Sequence, residues 1–258
     1  MGKIKNVPFR VFCYVIVFLF LFIYLFPLFF VANTSLKSAQ DYLLHPTALT
    51  STWSFGNYIT AWNKANFGAY IGNSILYTGV CTICSLLLSL LIAFPISRKY
   101  VPGAGFLYLL FLCGLFLPNG MIPTFQMVLN MGLYDTKIGY MLVMTGVNAT
   151  SVFFFTGYFK SIPRELDEAA AIDGCGYLRY VIRCIVPLAQ PAMVSMGMLS
   201  MIGVWNDIVS STIYLTSESN YNITRGLFVF TGQYSNDWTK RACWSCCWMS
   251  IMKPKNKV

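Results

Sequence analysis

The pattern of apolar and polar positions divides the chain into long greasy runs separated by short polar segments. The first apolar run extends from Val11 to Val31, with Pro27 near its far end. Polar sequence follows from Asn33 to Ala69, then apolar runs from about Asn73 to Ile96 and from Gly105 to Leu117. Two more cover about Ile138 to Phe159 and Leu188 to Ile208. A helix needs about 20 mainly apolar residues to cross a bilayer, so the pattern predicts five spans. Arg98 and Lys99 stop the second span, and "PNGMIP" closes the third with two prolines and a glycine. "TFQMVLNMGLYDT" then reads as a weaker, partly interfacial helix, and Asn33–Ala69 as an ordered external loop with interfacial aromatics. Thr145, Asn148, Thr150 and Ser151 lie midway along the fourth run, and at that depth polar groups face other helices rather than lipid.

Composition sharpens this to an all-α polytopic transmembrane helix bundle. Only 10% of the 258 residues are charged and 57% are hydrophobic, whereas a soluble domain carries about 25% charged residues. The net charge of +9 is scattered near the ends of spans, which is a topology signal and not a nucleic-acid surface. With the N-terminus in the cytoplasm, Lys3, Lys5, Arg10, Arg98, Lys99, Lys160, Arg164, Arg179 and Arg183 fall inside. Lys37, Lys64, Lys137, Arg225, Lys240 and Arg241 fall outside. That bias places residues 160–187 in the cytoplasm. The run after Arg10 is too long for a signal-peptide core and is read as a retained anchor. The single histidine, His45, cannot build a zinc site or a hydrolase triad. Most of the nine cysteines sit singly in apolar runs as small hydrophobes. No metal site and no catalytic residue is expected.

The densest cluster of charge is "ELDEAAAIDG", with Glu165, Asp167, Glu168 and Asp173. Ser161 and Pro163 suit a helix start, and the acids near it complement the helix dipole. Leu166, Ala169 and Ala170 are expected on one shallow face, with Gly174 ending the helix. A helix lying on the membrane surface would be rich in Lys and Arg. A docking surface for a soluble partner fits these acids better.

"ELDEAAAIDGCGYLRYVIRCIVPLAQP" resembles the cytoplasmic loop of binding-protein-dependent ABC-importer permeases, in which E-A-A is followed by Gly and then by I-x-L-P. Glu168, Ala169, Ala170, Gly174 and Pro187 match, while Cys184 and Val186 stand where the family has Ile and Leu. "NSILYTGV", "LPNGMIPTFQMVLNMGLYDT", "GVWNDIV" and "YNITRGLFVFTGQYSNDW" are similar to the carbohydrate branch, of maltose-permease G-subunit type. The resemblance implies a type I ABC-importer permease fold and a subunit that couples closure of cytoplasmic ATP-binding partners to alternating access. Those five residues then carry the coupling. It further implies a second permease subunit, an extracellular solute-binding protein and a bacterial inner-membrane location. No G-x-x-x-x-G-K-[ST] occurs in the chain, so ATP is expected on a partner, with no cofactor here. Asn206 and Asp207 are candidate pathway-lining residues, since an acid at membrane depth usually faces a bundle interior or water. The alternatives are a polytopic membrane enzyme, an ATP-independent carrier or channel, and a non-functional truncated permease.

The permease domain is expected over residues 1–240. The family's sixth span is missing from "RACWSCCWMSIMKPKNKV", which has too few apolar residues to cross. Three clustered thiols (Cys243, Cys246, Cys247) without a fourth ligand do not make a metal site, and residues 241–258 are read as a frame-shifted tail. Sequencing through the gene's alternate frame should reveal about 20 consecutive apolar codons; a frame without them contradicts the reading.

Overall fold

A computed structural model describes residues 7–50, 53–64, 66–117, 120–230, 242–243 and 245–246, and all regular elements among them are helical. The chain divides into two compact units, residues 1–69 with 225–258, and residues 70–224. Pro118, Asn119 and nearly all of the 241–258 tail lie outside the described residues.

In the first unit, α1 (Val7–Ser35) carries Pro27 within it and spans about 43 Å at 1.5 Å per residue. Phe22, Phe26 and Phe30 stack along it at centroid separations of 6.2 and 6.5 Å. The helix outlasts the predicted run because its last turn is polar and bonded to the segment that follows. Asn33 Nδ2 donates to the Ala48 carbonyl at 3.0 Å, and its Oδ1 accepts from Thr50 N at 2.9 Å. The fully buried Lys37 donates from Nζ to the carbonyls of His45 (2.6 Å) and Pro46 (3.2 Å). Burying an ammonium is tolerated only when it is satisfied in this way. Asn57 closes the knot by donating to the carbonyls of Ser35 and Lys37. The segment with α2 (Ala39–Leu44) and α3 (Gly56–Lys64) is therefore ordered by polar bonds. The Cys243 thiol donates to the Ser35 carbonyl at 3.0 Å.

The second unit is built on α4 (Phe67–Arg98), with α5 (Ala104–Phe116) and α6 (Met121–Asn130) following. Next come α7 (Lys137–Met144), α8 (Ala149–Ser161) and α9 (Glu165–Ile172). α10 (Tyr177–Tyr180), a π-helical turn (Val181–Ile185), α11 (Val186–Leu188), α12 (Gln190–Trp205), α13 (Val209–Tyr214) and a 3-10 turn (Glu218–Asn220) come after these. Leu86, Leu90 and Phe94 of α4 share one core with Phe155 and Phe159 of α8, Ile185, and Met196 of α12. A second cluster joins Tyr77, Val128, Tyr140, Tyr214 and Leu215.

Among the described residues α1 and α4 can each cross a membrane unbroken. α5 with α6, α7 with α8, and Val181–Leu188 with α12 do so as bent pairs, giving up to five crossings. Two expectations change. The fourth span is not continuous: α7 and α8 meet at 47°. Thr136 caps α7 and Asn148 caps α8, each accepting a backbone N–H, so local caps override the apolar continuity. The fifth span does not run unbroken from Leu188; α12 begins at Gln190, after a 72° bend. Pro187 has no N–H to offer the Arg183 carbonyl, and the turn before it widens into the π form.

Gly139 is required for packing, because a Cβ there would overlap the Leu133 carbonyl oxygen. The turn just before α7 holds Asp135 with φ 57°. Its carboxylate accepts from Thr216 N at 2.7 Å, from Ser217 N at 2.9 Å and from the Ser217 hydroxyl. Burial pushes this carboxyl up, but the bonds from Ser217, Thr216 and Asn220 outweigh it and hold it below its ordinary value. A depressed pKa gives stability that is present above the unfolded value and lost as pH falls through the folded one. Hydrogen exchange around 131–136 and 215–222 should therefore accelerate below about pH 4, and Asp135→Asn should flatten that dependence.

Candidate coupling helix and membrane pathway

The stretch with the most charge forms α9, eight residues long, with Glu165, Asp167 and Glu168 in its first turn. Its start differs from the expectation. Ser161 is the last residue of α8, and its hydroxyl donates to the Tyr158 carbonyl at 2.6 Å. Arg164 occupies the cap position without a side-chain bond. The end matches. Gly174 has φ +67°, Cys175 N donates to the Ala170 carbonyl at 2.9 Å and Gly174 N to the Ala171 carbonyl at 3.1 Å. This pair of bonds is a Schellman stop, which needs a left-handed residue.

The acids do not all serve one surface. Asp167 turns inward: its Oδ2 lies 2.7 Å from Arg98 Nε at the end of α4, and both side chains are nearly buried. That nitrogen makes no aligned hydrogen bond, so the contact is held by charge. Arg98 also donates from Nη1 to the Ile162 carbonyl at 3.0 Å and rests over the Phe94 ring at 6.0 Å. The Tyr180 hydroxyl donates to Asp167 Oδ1. Burial, then this bond, push the Tyr180 phenol above its ordinary value, so it remains a donor. Arg98, Asp167 and Tyr180 thus tie three helices at one point. The sequence reading missed this tie, because a basic residue at a span end reads as topology.

The expected apolar face splits accordingly. Ala170 and Cys175 pack on the core around Phe94 and Phe159. Leu166 (43% exposed), Ala169, Ile172 (86% exposed), Glu165 and Glu168 point outward. Glu168 and Ala169 are therefore presented together, Ala170 and Gly174 seat and end the helix, and Pro187 stands apart on α11.

At the far end of α12, Asn206 Nδ2 donates to the Ile202 carbonyl at 2.9 Å, finishing the helix. Asp207 Oδ2 accepts from the Tyr140 hydroxyl (3.1 Å) and Ser211 N (3.0 Å), and Oδ1 from Ser210 N and Oγ. The pair therefore sits at a helix junction with Asp207 fully satisfied.

Asp167→Asn removes the counter-charge from a buried arginine, a change that typically costs about 3–5 kcal/mol. The purified variant should melt well below the unchanged protein, while Asp173→Asn, at an exposed position, should not. Equal melting of the two contradicts the tie.

A model of the family described as "binding-protein-dependent transport system inner membrane component" matches residues 67–237. The inner membrane ABC transporter permease protein YcjP of Escherichia coli is 34% identical over 218 residues, covering 81% of this chain and 77% of its own. The diacetylchitobiose uptake system permease protein NgcG of Streptomyces coelicolor is 30% identical, with 82% and 71% covered. The melibiose/raffinose/stachyose import permease protein MelC of Bacillus subtilis is 27% identical, with 82% and 78% covered. A chain from the crystal structure of a bacterial ABC transporter that imports the acidic polysaccharide alginate superposes with TM-score 0.82 at 22% identity, over 97% of this chain and 94% of that one. That likeness carries the fold. This chain belongs to the family of binding-protein-dependent transport system inner membrane components, the multi-pass permeases of ABC transporters.

Proposed function

We propose that the chain is the permease subunit of an ATP-driven sugar importer, coupled through α9 to a separate cytoplasmic ATPase. The observation that carries the coupling is an exposed, small-faced helix locked from behind to a membrane-crossing helix by a buried ion pair. Push applied to Leu166, Ala169 and Glu168 passes through Asp167 and Arg98 into α4 without a flexible joint. The sugar assignment is supported by relatives named for diacetylchitobiose uptake and for melibiose, raffinose and stachyose import. In this reading two ATP-binding subunits grip the cytoplasmic side, a second permease chain completes the pathway, and an extracellular binding protein delivers the solute. The N-terminus lies in the cytoplasm of a bacterial cell, with lipid around the bundle. The subunit catalyses no reaction itself and holds no cofactor; ATP is bound by its partner.

Glu168→Lys reverses an exposed charge, and Gly174→Ile forces a β-branched residue into the left-handed region, at a cost of about 1–2 kcal/mol. Each should abolish ATP-dependent uptake, and Glu168→Lys should lower ATPase co-purification by about tenfold, equivalent to 1.4 kcal/mol. Undiminished uptake and ATPase recovery in both variants would contradict the proposal, and uptake that persists without ATP would favour a carrier.

A further inference from the structure

A cavity of about 380 Å³ opens where α9 begins, lined by Ser97 and Arg98 at the end of α4 and by residues 160–165 between α8 and α9. Its level is set by the helices that end there. Arg98 is the last residue of α4 and Ser161 the last of α8, and both helices belong to membrane crossings. Lys160 stands in the last turn of α8, with its Nζ 5.0 Å from the centre of the Tyr108 ring on α5. A cation resting on a tyrosine at the ends of crossings marks the headgroup layer, where hydrocarbon gives way to lipid phosphates.

The lining holds more donors than acceptors to meet them. Nε of the nearly buried Arg98 contacts Asp167, and Nη1 bonds to the Ile162 carbonyl. Its Nη2, also out of water, has no acceptor among the described residues. A charged donor left unmet in an apolar setting is costly, so the position calls for an acceptor. Lys160 and Arg164 are exposed and make no ion pair among the described residues. Asp167 N and Glu168 N share the Arg164 carbonyl, and the amides of Arg164 and Glu165 ahead of them have no acceptor among the described residues. Those amides stand at the positive end of α9. Glu165 lines the cavity too and opposes an anion. The balance still favours one: Arg98, Lys160 and Arg164 against Glu165 and Asp167 leave a single positive charge. That excess suits a phosphodiester monoanion, and a phosphate dianion overshoots it.

We propose that this cavity binds the phosphate of an anionic lipid. Lys160 and Arg164 are its charge contacts, the first amides of α9 its backbone donors, and Arg98 the buried cation behind them. Basic pockets between crossing helices at a membrane face hold such headgroups. The shared chemistry is that of a phosphate oxyanion, and both the depth and the charge balance choose the lipid over free phosphate. Because the same Arg98 ties α9 to α4, an occupied cavity braces that joint from the membrane side. Lipid binding goes beyond the importer reading and does not depend on it; only the bracing does.

The test takes the assembly as it purifies in detergent, strips it of lipid, and titrates it by native mass spectrometry with phosphatidylglycerol, phosphatidylcholine and inorganic phosphate in turn. Phosphatidylglycerol should be retained in preference to the other two and should raise the melting temperature, as a ligand of the folded state does. Lys160→Gln and Arg164→Gln should each weaken that retention about fivefold, the worth of one cation at the membrane surface. Lys160→Arg keeps the charge and should keep the lipid, which separates loss of binding from loss of fold. Arg179→Gln removes the same charge from an exposed position outside the cavity and should leave retention unchanged. An equal loss in Arg179→Gln would mean attraction to basic surface in general. Equal retention of phosphatidylcholine would mean no selection for charge, and equal binding of inorganic phosphate a free-anion site. No retention of phosphatidylglycerol by the assembly would give the cavity to a protein contact. Each of these four results overturns the proposal, and none bears on ATP-dependent uptake, so the importer reading stands or falls separately.

Discussion

The second unit depends on one buried charge pair. Arg98 ends a 32-residue helix and Asp167 opens an eight-residue one, and their side chains meet at 2.7 Å out of water. Removing two ions from water costs several kcal/mol each, so such a pair adds little net stability. What it supplies is geometry. Once Arg98 is committed to Asp167 and to the Ile162 carbonyl, α9 has one favourable seat, and any other leaves an unpaired charge in an apolar core. Tyr180 adds a third helix to the same point. The exposed face of α9 is therefore a surface with a rigid backing.

Elsewhere each unit is held by different means. In the first unit Asn33 and the buried Lys37 gather backbone groups through hydrogen bonds, and in the second Asp135 does the same. In the broken span of the second unit, Asn148 ends the polar gap and starts α8. Neutral groups dominate there, and the Asp207 carboxylate is hydrogen-bonded by neutral donors, as a low-dielectric setting demands.

Much of this was legible in the sequence. Apolar run length located the crossings, with α5 found to within a residue at each end, and Gly174 announced the stop of α9. The breaks were not legible, because hydropathy averages over windows longer than a four-residue gap. The local signals were present: Gly146 and Asn148 before Ala149, and Pro187 with Pro191 around Ala189. Reading them required giving caps and missing N–H groups precedence over apolar continuity. The inward turn of Asp167 could not be read, since its partner lies on another span and four acids in ten residues look alike. Ala170 was assigned to the outward face for the same reason, although it sits 100° from Ala169 around the helix.

Through the Arg98–Asp167 pair, α9 and the C-terminal end of α4 move as one body. Spin labels carried on p-acetylphenylalanine at Ile172 and Val101, both exposed, would report this by electron–electron double resonance without disturbing the native cysteines. A narrow distance distribution, identical in the nucleotide-free and ATP-trapped assembly, is the predicted result. A distribution that shifts or splits when ATP is trapped would mean that α9 moves independently, and would contradict the account.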